Sequence, residues 1–88
     1  MSIQYDPAKA SANLRKHGVS FHEAATCLLD PVALAFEDKA HHGEVRWVAI
    51  GMSASARLLT VVYTLRGEDR VRLISARRST RKEMAFYA

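Results

Sequence analysis

Three strand-like segments in the second half of the chain are separated only by short polar connections. They run from Val45 to Met52, from Leu58 to Leu65 and from Arg70 to Ala76, and residues 53–57 and 66–69 connect them. Each segment has the residue pattern of a β-strand. Because connections of this length join neighbouring antiparallel strands, the pattern predicts a three-stranded antiparallel meander.

The start of the chain has clear signals for a helix. Asp6 offers an N-cap and Pro7 stands at the first helical position, where its missing N–H is not needed. Gly18 offers an end. We therefore predict a helix over residues 7–17.

Two capping boxes predict two further helices. Ser20 and Glu23 precede apolar residues at helical spacing, and this helix should end before Pro31, because the residue before a proline is driven out of the helical region. Thr80 and Glu83 begin a third helix, which runs to the C-terminus.

Two shorter strand patterns complete the order. Residues 32–36 favour a short strand, and residues 3–5 favour an edge strand at the beginning. The predicted fold class is therefore α+β, with an antiparallel sheet of four to five strands, two N-terminal helices and one C-terminal helix. With 88 residues, we expect one domain spanning residues 1–88.

The composition is that of an ordinary folded domain with a basic bias. No apolar segment approaches the roughly 20 residues that span a bilayer, and the N-terminus lacks a secretory signal, so we expect a cytoplasmic protein with no membrane partner. Cys27 is the only cysteine, which excludes an intrachain disulfide. A formal net charge of +4 favours a polyanion or an acidic protein as partner.

The positive charge is concentrated near the C-terminus. Seven of the thirteen Lys and Arg residues lie between Arg66 and Lys82. The guanidinium fork matches phosphate oxygens, so this density indicates a nucleic-acid surface; the alternative is the solvated face of a strand and a helix. We predict that Arg77, Arg78 and Arg81 form one anion-binding patch where the last strand meets the last helix.

The first predicted helix has a second basic surface. Lys9, Asn13, Lys16 and His17 lie at positions i, i+4, i+7 and i+8, which places them on one helix face. This face could bind phosphate or ribose. The alternatives are a solvated face for the lysines and C-terminal capping for His17. We expect this face to border the same groove as the arginine patch.

No motif indicates a metal or a cofactor. His41 and His42 are adjacent on a loop, where neighbouring residues rarely converge on one ion, and no second half of a metal site is recognisable. There is no phosphate-cradling glycine loop and no arrangement for nucleophilic hydrolysis. Tyr63, in the middle of a strand, could stack on a base.

Both ends of the chain resemble one known family. Residues 3–25, IQYDPAKASANLRKHGVSFHEAA, look like the start of the BrnT toxins, and residues 72–87, RLISARRSTRKEMAFY, look like that family's ending. The strands between them follow the family's pattern, so the resemblance spans nearly the whole chain. Tyr5 stands where many relatives have Trp, and an aromatic ring is retained there.

The resemblance implies a RelE-like α+β fold and a ribonuclease toxin of a type II toxin-antitoxin module. It also implies inhibition by a BrnA antitoxin, whose ribbon-helix-helix part lets the complex bind operator DNA. We expect this antitoxin to cover the basic groove, since an acidic partner is attracted to it.

A metal-independent ribonuclease needs a proton acceptor for the ribose 2′-hydroxyl, a proton donor for the leaving 5′-oxygen, and cations for the charge on the phosphorane. The candidate catalytic residues are His17, Arg77, Arg78 and Arg81. The candidate RNA-binding residues are Lys9, Asn13, Lys16, Tyr63 and Arg72. The alternative function is a non-catalytic basic module that binds a protein or a nucleic acid.

Overall fold

The computed structural model describes residues 1–39 and 43–87, and the predicted α+β order is confirmed. His41 and His42, which we considered as metal ligands, lie outside the described residues. The elements, in chain order, are β1 (Ser2–Gln4), α1 (Pro7–His17), α2 (Phe21–Cys27), β2 (Leu34–Asp38), β3 (Arg46–Met52), β4 (Leu58–Arg66), β5 (Arg70–Arg78) and α3 (Arg81–Phe86).

The five strands form one sheet in the order β1-β5-β4-β3-β2. Strands β3 to β5 are an antiparallel meander, as predicted, and β2 extends it by pairing antiparallel with β3. The sheet as a whole is mixed, because β1 runs parallel to β5, with Ser2 opposite Arg70 and Gln4 opposite Arg72. The chain leaves β1 through α1 rather than through a hairpin, so no tight turn constrains its direction.

The helix ends follow the sequence signals. The Asp6 side chain accepts a hydrogen bond from the Ala8 backbone N–H at 2.8 Å, and Gly18 ends α1 in the left-handed region at φ 68°. Ser20 caps α2, but the Glu23 carboxylate turns away to Arg57, so the reciprocal bond of the predicted capping box is not formed among the described residues. No helix in residues 1–39 or 43–87 is long and apolar enough to cross a membrane.

Helices α1 and α2 pack on one face of the sheet, which we call the core face. The buried cluster between them and the sheet consists of Val19, Phe21, Ala24, Cys27, Leu59, Val61, Val71, Leu73 and Ala76. Close approach of α2 requires a glycine on β3: a Cβ on Gly51 would lie 2.8 Å from the backbone oxygen of Cys27.

The register of β5 contains an irregularity. Val62 pairs with Ser75 and Tyr63 pairs with Leu73, which leaves Ile74 without a partner on β4. This bulge resets the alternation of side chains, so Leu73 and Ala76, three residues apart, both face the core. Ser75 therefore points to the opposite face of the sheet, which we call the second face.

Beyond Arg72, β5 has no strand on its outer side, because β1 ends opposite that residue. The Asn13 side chain of α1 takes that place. Its Nδ2 donates to the backbone oxygens of Ala76 at 2.8 Å and Val19 at 2.9 Å, and its Oδ1 accepts from the Ala76 N–H at 3.1 Å. Asn13 is only 7% exposed and its carboxamide is committed to these backbone groups, so it fixes α1 against the strand. Its contact with RNA stays a prediction.

Replacing Asn13 with alanine should lower the free energy of unfolding by about 3 kcal/mol, because it leaves buried backbone groups of Ala76 and Val19 without partners. Urea unfolding followed by circular dichroism measures this. Ser11→Ala, an exposed change on the same helix, is the control and should change the midpoint little. Equal midpoints for the two variants would show that the hydrogen bonds of Asn13 do not stabilise the fold.

Candidate functional site

A cleft of about 230 Å³ lies between α1 and the outer edge of β5. Lys9, Lys16 and His17 line it from the helix, and Ile74 and Ser75 line it from the strand. We call it the α1–β5 cleft. Within the described residues, the side chains of Lys9, Lys16 and His17 make no ion pair and no hydrogen bond. Their charges and donors are therefore available to a ligand.

Ser75 links this cleft to the second face of the sheet. Side chains alternate along a strand, and after the bulge Ser75 and Arg77 share the second face. Arg72, before the bulge, also points there, since its neighbours Val71 and Leu73 are buried on the core face. Arg72 and Arg77 therefore share the second face with Ser75, but neither lines the cleft itself. A groove common to α1 and the arginines stays a prediction.

Arg77 is held by a carboxylate rather than free. Its Nη1 and Nη2 donate to the two oxygens of Glu83 at 2.7 and 2.8 Å. Glu83 also accepts from the Thr80 backbone N–H at 2.8 Å and from the Thr60 hydroxyl at 3.1 Å. The hydrogen bonds from Arg77, above all, lower the pKa of Glu83 to about 2. Arg77 therefore has a fixed orientation, and its charge is balanced within the protein.

Arg78 points to the other side of the sheet. Its partner on β4 is the buried Leu59, and it lines a separate cleft of about 430 Å³ together with Arg57 and Ser79. Successive residues of a strand face opposite ways, so Arg77 and Arg78 do not form the single patch that we predicted. Arg81 is exposed on the first turn of α3 and has no ion pair within the described part of the chain.

Tyr63 also lies away from the α1–β5 cleft. It pairs with Trp47 and Leu73 and packs against the buried cluster on the core face. Burial raises the pKa of its hydroxyl. The ring is thus on the face opposite to Arg72, and its stacking on a base stays a prediction.

A second carboxylate anchors the core side. Arg57 donates from Nε and Nη2 to the two oxygens of Glu23, and the Ser53 hydroxyl donates to the same carboxylate at 2.6 Å. The hydrogen bond from Arg57 is the main reason that the pKa of Glu23 falls to about 2. This network ties α2 to the turn between β3 and β4.

Sequence reasoning did not find Ser75 or the role of Glu83. The capping box identified Glu83 as a helix residue but gave no sign of its ion pair with Arg77. The direction of the Ser75 side chain depends on the bulge in β5, and no pattern in the sequence indicates that bulge. Within the described residues, no group of three or more His, Cys, Asp or Glu side chains could hold a metal ion.

Comparisons with known proteins agree with the fold. A family model described as "Ribonuclease toxin, BrnT, of type II toxin-antitoxin system" matches residues 5–83. The crystal structure of the Brucella abortus ribonuclease toxin BrnT, at 1.1 Å, is similar with a TM-score of 0.72 and 28% sequence identity, covering 92% of this chain and 99% of that one. None of the curated proteins matches the chain.

Stability should fall as the pH drops from about 4.5 to about 2, the interval between the ordinary and folded pKa values of Glu23 and Glu83. Both pKa values are lowered by folding, so their contribution is full above this interval and disappears below it. Urea midpoints measured across the interval test this. Glu83→Gln should lower the midpoint at pH 7 and flatten the acid dependence.

Glu68→Gln is the matched control, since Glu68 is exposed at a turn and has no ion pair within the described residues. It should keep the acid dependence of the unmodified chain. An unchanged slope in Glu83→Gln would show that the Arg77 pair contributes nothing to stability.

Proposed function

The chain belongs to the BrnT family of ribonuclease toxins of type II toxin-antitoxin systems, and from this premise we propose that it cleaves RNA in the α1–β5 cleft as a metal-independent endoribonuclease. The observation that carries the proposal is the cleft itself. Two ammonium groups and an imidazole, with no protein partner among the described residues, line it together with the Ser75 side chain.

His17 is the proposed acid–base group. An imidazole can both accept and donate a proton, so His17 can take the proton from the attacking ribose 2′-hydroxyl or give one to the leaving 5′-oxygen. Its position at the end of α1, next to the cleft, leaves the ring accessible to a bound nucleotide.

Lys9 and Lys16 are the proposed binding cations for the scissile phosphate. They lie two helical turns apart on the same face and line the same cleft. Ammonium groups there stabilise the negative charge that develops on the phosphorane, which is the work that a metal ion would otherwise do. This supports cleavage without a metal.

Arg72 and Arg77 are proposed to contact the phosphates next to the scissile one. Both share the second face with Ser75, and the Glu83 carboxylate fixes the orientation of Arg77. Arg78 lines the other cleft and Arg81 is on the surface of α3, so neither is included in the proposed active site.

The antitoxin partner that the family implies is proposed to be of the BrnA type, with a ribbon-helix-helix part through which the complex binds operator DNA. We propose that an acidic segment of it covers the α1–β5 cleft. The net charge of +4 and the unpaired cations of the cleft favour such a segment. The proposed place of action is the cytoplasm, where the RNA substrate is.

Replacing His17 with alanine should reduce cleavage of single-stranded RNA by roughly 10²- to 10⁴-fold, the usual contribution of a positioned acid–base group. His22→Ala removes an exposed imidazole from α2 and is the matched control. Both assays contain EDTA. Cleavage at the normal rate by His17→Ala would remove His17 from the mechanism, and complete loss in EDTA alone would contradict metal independence.

Replacing Lys9 and Lys16 together with glutamine should weaken antitoxin binding, mainly through slower association, because charge steering acts on the association rate. It should also lower cleavage. Stopped-flow association at several salt concentrations measures the first effect. Lys82→Gln, on the exposed side of α3, should leave association nearly unchanged. Loss of cleavage with unchanged antitoxin association would show that the antitoxin binds elsewhere.

A further inference from the structure

Four arginines lie close together on the second face, at the end of the sheet away from α3. Arg66 on β4 pairs directly with Arg70 on β5, and Arg72 pairs with Thr64. On β3, Trp47 is opposite Tyr63 of β4. Because the two strands are antiparallel, Arg46, one residue before Trp47, lies beside Thr64, one residue after Tyr63. We call Arg46, Arg66, Arg70 and Arg72 the arginine face.

Their common orientation follows from the alternation of side chains. Val71 and Leu73 are buried on the core face. Arg70 precedes Val71, and Arg72 stands between Val71 and Leu73, so both arginines point to the second face. On β4, Arg66 is two residues after Thr64 and shares its face. Arg66 also bonds Glu44 at 2.8 Å, with both side chains nearly half exposed.

The fold does not explain this cluster. Arg66 directly opposite Arg70 places like charges at cross-strand positions, which destabilises a sheet. At the centre, Thr64 is 1% exposed and its hydroxyl has no hydrogen-bond partner among the described residues. The Nε of Arg46, which lies beside it, is also buried without a partner in the described part of the chain. The opposed charges of Arg66 and Arg70, both exposed, are a cost that a bound anion would relieve.

We propose that the arginine face is a second RNA subsite, which binds backbone phosphates of single-stranded RNA that extends out of the α1–β5 cleft. This inference rests on the proposed function, since the cleft defines where the strand begins. Arg72 connects the two sites: only Leu73 and Ile74 separate it from Ser75, which lines the cleft. From β5 to β3 the face is about 10 Å wide, given a strand spacing near 4.8 Å. RNA that fills both sites must therefore be longer than RNA that fills the cleft alone.

RNA fits this face better than an acidic protein segment. Protein interfaces contain an apolar centre, whereas the cross-strand rows here are polar throughout. Arg46 stands between Asp38 and Thr64, and the neighbours of Arg70 and Arg72 on β1 are Ser2 and Gln4. Arg70 and Arg72 have no ion pair within the described residues, so each can hold a phosphate through two hydrogen bonds.

The test compares Arg66→Gln/Arg70→Gln with Arg15→Gln/Lys82→Gln, a control pair of exposed residues that removes the same charge elsewhere. The probes are 2′-O-methyl RNA oligonucleotides, which cannot be cleaved. For an oligonucleotide of about 20 nucleotides, the Arg66/Arg70 variant should bind roughly tenfold more weakly at low salt, and the slope of log K against log salt should fall by about 1.4. Binding of a trinucleotide should stay unchanged.

Equal losses in the two variants would show that only net charge matters and would overturn the proposal. Unchanged binding of the long oligonucleotide, with weaker binding of the antitoxin, would assign the face to the antitoxin and would overturn it as well. Thermal unfolding confirms that both variants fold. The cleavage site is tested separately: loss of long-RNA binding in Arg66→Gln/Arg70→Gln supports this subsite even if His17→Ala still cleaves.

Discussion

The carboxamide of Asn13 closes the edge of β5 that the short β1 leaves open, and the position of α1 depends on this contact. A free strand edge would expose backbone donors and acceptors to other chains. Here one side chain pairs with both the N–H and the oxygen of Ala76 and also bonds the loop before α2 through Val19. Because Asn13 is fixed, Lys9 and Lys16, on the same helix face, are held beside the strand.

Two ion pairs hold the helices from opposite faces of the sheet. Glu23 binds Arg57 on the core face, and Glu83 binds Arg77 on the second face. Both carboxylates stand at the third position of a helix, where a negative charge interacts favourably with the positive end of the helix dipole. The two pairs balance two arginines within the fold, whereas the two lysines of the α1–β5 cleft have no such partner in the described residues. Two of the unpaired cations therefore lie where we propose that RNA binds.

Structural features that depend on residues within one helix, strand or turn could be predicted from the sequence. The proline and glycine around α1, the caps of α2 and α3, and the strands of the meander were found because each depends on neighbours in the chain. The parallel pairing of β1 and the bulge at Ile74 were not found, since both depend on contacts between distant segments. Helical spacing placed Asn13 on the correct face but could not show that its amide is buried. Alternation along a strand already places Arg77 and Arg78 on opposite faces unless the strand bends, and the register of β5 is regular there, so the predicted patch is divided.

The central claim is that RNA is bound beside α1, with its reactive phosphate at His17. The most direct measurement is the NMR spectrum of the histidine rings during titration with a 2′-O-methyl oligonucleotide, with resonances assigned by His17→Gln and His22→Gln. The account predicts that the ring signals of His17 shift with saturating RNA while those of His22, exposed on α2, stay in place. Unmoved His17 signals at RNA concentrations that saturate binding would contradict it.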